Sequence, residues 1–117
     1  MSRADIDRLI DAREFARHAL NNAGGLSAGI LVEAIQPQHA ALYDLVVIGE
    51  ALNKVTPEIK ALAPNLPWKA AIEQRNVIVH GYWQIDIEII ADVIKNDLLP
   101  LIAELDKLIV FTERMGK

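Results

Sequence analysis

The chain has 117 residues, 52% hydrophobic and 5% aromatic, with a net charge of −4 at pH 7. That length suits a single domain, 1–117, whose core needs no staples. The absence of cysteine excludes disulfides and thiolate metal sites and fits a reducing cytoplasm, and the acidic balance gives no bulk nucleic-acid signal, because neutralising a phosphate backbone takes a basic patch.

Residues 2–23 carry Ile6, Leu9, Ile10, Ala16, Ala19, Leu20 and Ala23 at the three- and four-residue steps of an amphipathic helix. Arg3, Asp7, Asp11, Glu14 and Arg17 fall largely opposite, and Gly24-Gly25 supplies the expected left-handed stop. This charged beginning and the lack of any long apolar run argue against a secretory signal or a membrane span. A short helix is expected over 27–35, ended by Pro37. The next, 39–55, places Leu42, Leu45, Val46, Gly49 and Leu52 on one stripe. Gly49 there costs roughly 1 kcal/mol of helix stability against alanine, and its structural use is to let another helix come close. Glu50 and Asn53 flank the stripe and reach toward that neighbour. Thr56-Pro57-Glu58 reads as a helix start with a hydroxyl cap, ending near Ala63. Pro67-Trp68 starts another helix that runs to His80 and stops at Gly81. Asp86 caps a last helix through Ile109, with Pro100 inside it as an expected kink. The fold class is therefore all-α, a four- to five-helix up-and-down bundle counting its main helices.

The stretch Arg75-Asn76-Val77-Ile78-Val79-His80-Gly81-Tyr82 gathers a cation, an amide, an imidazole and a phenol within eight residues. On a helical wheel Trp68, Ala71, Ile72, Ile78 and Val79 form an apolar stripe with Arg75 in its middle. A guanidinium is rarely buried without a partner, so Arg75 either lines a cleft or pairs with a carboxylate, for which Glu50 is the candidate. Asn76 and His80 share a face; Arg75 lies about 140° away from His80 around the wheel. The two converge on one ligand only if the arginine bends round or the helix end unwinds at Gly81. Tyr82, just beyond, is free to fold back toward the imidazole. Trp83 could stack on a base or pack in an interface. His18 and His39 read as surface residues, and two isolated histidines make no metal site.

The string RNVIVHGY resembles the Arg-Asn-x₃-His-x-Tyr signature of HepT-like toxins, a branch of the HEPN superfamily with its Arg-x₄-His motif. Ile48-Gly49-Glu50-Ala51, Pro67-Trp68, Asp86 before an apolar helix, and Leu99-Pro100-Leu101 follow in the family's order, covering about residues 39–110. The resemblance implies an all-α, HEPN-like homodimer with its active-site cleft between protomers. It implies a metal-independent, cofactor-free endoribonuclease acting as the toxin of a toxin–antitoxin pair, with a minimal nucleotidyltransferase as antitoxin. On that reading His80 handles the proton of the attacking ribose 2′-hydroxyl or of the leaving oxygen, a task suited to imidazole. Arg75 stabilises the phosphate, Asn76 and Glu50 support, and Tyr82 is the residue the antitoxin modifies with adenylate. The alternative is a non-catalytic helical dimer that binds a nucleotidyltransferase or a nucleotide. There Arg75 is a structural partner of Glu50 and Tyr82 a packing residue.

Overall fold

Leu9, Ala12, Ala16, Ala19 and Ala23 recur along one face of the first helix, and all five are buried. That stripe organises the bundle, because alanines let neighbouring backbones approach closely. The computed structural model describes residues 3–116. Its elements are α1 (Arg3–Ala23), α2 (Ala28–Glu33), α3 (Ile35–Asn53), α4 (Pro57–Leu62), α5 (Trp68–His80), a 3₁₀ turn (Tyr82–Gln84), α6 (Ile87–Asn96) and α7 (Leu98–Met115). No strand occurs among the described residues. The chain is all-α, and Ser2, where the first helix was expected to begin, lies outside the described residues.

Helix α1 packs on α3 and α7, α3 packs also on α5, and α2 lies against α6. Leu9, Leu31, Leu52, Ile94, Leu98 and Leu105 are fully enclosed between them, each burial worth about 1.5–3 kcal/mol. Arg13 joins the α1–α7 contact at the surface, its Nη1 donating to Asp106 Oδ1 at 2.9 Å.

Among the described residues seven α-helices stand where fewer were expected, partly because the last one is two. The chain breaks at Asp97, and Pro100 becomes the third residue of α7 rather than an internal kink. The expected stop at Pro37 moves in the same way. Ala34 separates α2 from α3, and Pro37 lies in the first turn of α3. Both shifts have one cause: N–H groups of a first helical turn have no intrahelical acceptor, so a proline there removes no hydrogen bond. The Gln38 side-chain amide donates to the carbonyls of Leu31 (3.1 Å) and Val32 (3.0 Å), satisfying acceptors near the end of α2.

Two expected caps work differently. No described residue has a positive φ, so Gly24 is no left-handed stop. Its N–H donates to the Leu20 carbonyl at 2.8 Å, and a Cβ at position 24 would lie 2.6 Å from that oxygen. Space, not conformation, requires glycine. Thr56 is the N-cap of α4, but its hydroxyl makes no cap bond to that helix. It donates instead to Asp5 Oδ2 at 2.8 Å, while its backbone N–H donates to Asp5 Oδ1 at 3.0 Å. The buried Asp5 carboxylate thus ties the start of α1 to the α3–α4 corner. Asp86 caps α6 as expected, accepting from the Glu88 N–H at 2.9 Å.

Candidate active site

The site begins with the glycine of α3. A Cβ on Gly49 would collide with the Cβ of Arg75 and lie 2.8 Å from the Ala71 carbonyl. The missing side chain lets α5 settle on α3 with Arg75 at the crossing. One residue further along α3, Glu50 meets Arg75 in an ion pair between Oε1 and Nη2. Arg75 Nη1 donates to Asn76 Oδ1 at 2.9 Å. The guanidinium is therefore held by a carboxylate from one helix and an amide from its own. Its Nε is enclosed and has no hydrogen-bond partner. The side chain keeps 25% of its surface exposed and that of Glu50 keeps 37%, so the pair sits at the surface of the helix crossing and not in the core.

Helix α5 buries no residue completely. Trp68, Ala71 and Ile78 are half-buried against the core, and the Trp68 indole N–H donates to the Ala63 carbonyl at 2.9 Å. Val79, expected on the packed stripe, is 42% exposed, because α5 lies at the edge of the bundle with α3 as its main neighbour. Asn76 and His80 are exposed one turn apart. The helix stays wound through His80, and the Gly81 N–H donates to the Val77 carbonyl at 2.8 Å. The unwinding that would have swung His80 toward Arg75 does not occur. Among the described residues the imidazole makes no hydrogen bond or ion pair.

After Gly81 the chain tightens into the 3₁₀ turn, with Gln84 N–H bonded to the Gly81 carbonyl at 2.7 Å. Tyr82 does not fold back on His80. It is 72% exposed and meets Trp83, itself 69% exposed, edge to face, with ring centroids 5.5 Å apart. On another side of α5 a groove of about 330 Å³ runs toward α6 between Ala70, Gln74, Val77, Ile78 and Ile89. Arg75, Asn76 and His80 do not line it.

The residues singled out by sequence thus fall into two groups. Glu50, Arg75 and Asn76 are bonded together, whereas His80 and Tyr82 follow on the same exposed end without touching that cluster. Among the described residues, no three His, Cys, Asp or Glu side chains gather as metal ligands would. Asp44 escaped sequence reading. It is buried between α1 and α3, where Asn22 Nδ2 donates to Oδ2 at 2.8 Å. Burial pushes its carboxyl above the ordinary range, opposed by the Asn22 bond and by nearby His18. Its position on the packed face of α3 was the available signal.

The family described as "Ribonuclease HepT-like" matches residues 10–108, a stretch that includes the whole crossing of α3 and α5 and the turn after it. The chain belongs to the Ribonuclease HepT-like family. A Thermococcus cleftensis protein named "Probable ribonuclease HepT" is 30% identical over 71 residues, 61% of this chain and 64% of that protein. "Putative RNase MJ1380" of Methanocaldococcus jannaschii is 26% identical over 99 residues, 84% of this chain and 91% of the relative. A second protein of that organism, "Putative RNase MJ1216", is 24% identical over 101 residues, 86% of this chain and 84% of the relative. The match to the Thermococcus protein thus spans slightly less than two thirds of its length. No solved structure matches the chain at comparable significance. The family is thus one described as ribonucleases, and the matched stretch contains the α3–α5 crossing. No helix among the described residues is long and apolar enough to cross a membrane.

Proposed function

We propose that this HepT-like chain is a metal-independent endoribonuclease toxin whose active site forms where two copies of the α5 end face each other. The observation that carries this reading is the arrangement at the crossing. An arginine is fixed by Glu50 and Asn76 at a surface opening, and an unpaired imidazole is exposed at the end of the same helix. A guanidinium held from two sides keeps N–H groups for a phosphate oxygen and does not have to be ordered when substrate arrives. Arg75 stabilises the charge that builds on the phosphate during attack. His80 handles the proton of the 2′-hydroxyl that attacks the neighbouring phosphorus, or the proton taken up by the departing 5′-oxygen. The P–O5′ bond breaks as the new P–O2′ bond forms, leaving a 2′,3′-cyclic phosphate and a 5′-hydroxyl. Asn76 and Glu50 position Arg75.

Because α5 stays wound, His80 and Arg75 of one protomer project in different directions, which favours a cleft completed by a second copy. The exposed Val77, Val79 and Tyr82 around the motif leave apolar surface for such a neighbour. The antitoxin is a minimal nucleotidyltransferase, and Tyr82, the most exposed of these side chains, is its acceptor for adenylate. A bulky anion there would block and repel RNA. The setting is the cytoplasm.

The test is cleavage of RNA by purified protein freed of any partner, with a chelator present. Wild type should yield 2′,3′-cyclic phosphate ends, and His80→Ala should be slower by about 100- to 10,000-fold. Equal rates for the two proteins would overturn the catalytic assignment. Intact mass after co-expression with a nucleotidyltransferase reads adenylylation, which Tyr82→Phe should abolish.

A further inference from the structure

Two features of the α5 end are left over by a mechanism that uses Arg75 and His80. The first is a shortage of cations. Between Arg75 and Lys95 there is no lysine or arginine, whereas Asp86, Glu88 and Asp92 lie in that interval. Arg75 itself is already paired with Glu50. A ribonuclease normally draws much of its RNA affinity from neutralised phosphates, and little of that is available here. The second is an excess of exposed aromatic surface. Trp83 and Tyr82 lie consecutively on a 3₁₀ turn directly after His80, both mostly in solvent, packed edge to face at 5.5 Å. The turn is closed by the Gln84-to-Gly81 and Ile85-to-Tyr82 backbone bonds. The backbone that carries both rings is thus fixed, and the rings themselves stand on the surface in contact with each other.

We infer that Trp83, steadied by the edge of Tyr82, is a stacking platform for one unpaired base beside the phosphate engaged by Arg75 and His80, so that the substrate is single-stranded RNA. The inference rests on the ribonuclease reading of the site. It supplies the affinity that the charge distribution withholds: every base has a π-face, and stacking on an aromatic ring needs no cation. A base locked in a duplex cannot reach such a platform, because its faces are covered by its neighbours. Recognition should therefore be tolerant of sequence, intolerant of duplex structure and only weakly dependent on salt.

Binding is measured with the uncleaving His80→Ala protein and a fluorescently labelled, unstructured oligoribonucleotide, alone and annealed to its complement. The single strand should bind and quench tryptophan emission, and the duplex should bind more weakly. Adding Trp83→Leu should remove the quenching and weaken binding about 5- to 150-fold, the equivalent of the roughly 1–3 kcal/mol a stacked base is worth. Trp83→Phe should retain most of the affinity. The salt dependence should stay shallow, with a slope of about −0.7 per neutralised phosphate. Light scattering on each variant distinguishes stacking from a role between protomers. If Trp83→Leu changes the oligomeric state, or leaves single-strand affinity unaltered while wild type cleaves RNA, the platform is overturned and the ribonuclease reading stands. If wild type cleaves no RNA but Trp83-dependent binding persists, the ribonuclease reading falls and the platform survives as a binding site.

Discussion

Arg75 shows how one residue carries both a packing and a chemical constraint. Its stem lies against Gly49, and its head meets Glu50 and Asn76. A pair this exposed gains less than a buried one, because solvent screens it, so its larger contribution is to fix the guanidinium for a ligand. Asp44 is the opposite case, a buried acid with a single neutral donor from Asn22. Burial raises its folded-state pKa above the unfolded value of about 3.9. Protonation therefore favours the folded chain: the stability tied to this group is fully present below the unfolded pKa and is lost as pH rises through the raised folded value. His18, which faces the same carboxylate, opposes that shift. Asp44→Asn keeps an acceptor for Asn22 and removes the charge. It should raise the thermal midpoint at pH 7, with an advantage that shrinks toward pH 4. An advantage that grows in acid would show the sign to be wrong.

Among the elements, α5 carries most of the residues proposed to do the chemistry. It packs mainly on α3, buries no residue completely, and is admitted there by one glycine. Gly49→Ala should recover about 1 kcal/mol of helix propensity but lose about 1–3 kcal/mol to overpacking, a small net cost. Gly49→Val adds two further methyl groups at the crossing and should lose roughly 3 kcal/mol, read as a lowered denaturation midpoint with unchanged slope. RNA cleavage should fall further than stability in that variant, since the displaced helix takes Arg75 away from Glu50. Full activity in a folded Gly49→Val protein would mean that the crossing does not position the site. At the element scale the sequence was informative about glycine and ambiguous about proline. Pro37 and Pro100 mark helix starts here, where an end and a kink were expected, and a proline looks the same in sequence at any of those places.

For the whole molecule, the question is how an acidic chain of 117 residues meets a polyanion. A composite cleft would bring two Arg75 and two His80 side chains together. Within one protomer, among the described residues, His80 makes no hydrogen bond or ion pair to the Arg75 cluster. Specific activity should therefore fall on dilution through the range where light scattering shows a dimer giving way to a monomer. Activity per protomer that is independent of concentration across that range would mean each copy is complete. His80 and Tyr82 at the α5 end are exposed and so accessible for such a pairing.

Sequence by itself determined the helical class, that Gly49 admits a neighbouring helix, Glu50 as the candidate partner of Arg75, and the string that marks the HepT-like family. These follow from periodicity, from the cost of an unpaired guanidinium and from local residue order, all of which a linear chain displays. Only the tertiary structure decided that α5 remains wound through His80, that Tyr82 turns to Trp83 and not to the imidazole, and that Asp5 and Asp44 are buried. Those outcomes depend on which surfaces other helices cover. A carboxylate is solvated or enclosed according to neighbours distant in sequence, as Asp5 is by the corner at Thr56.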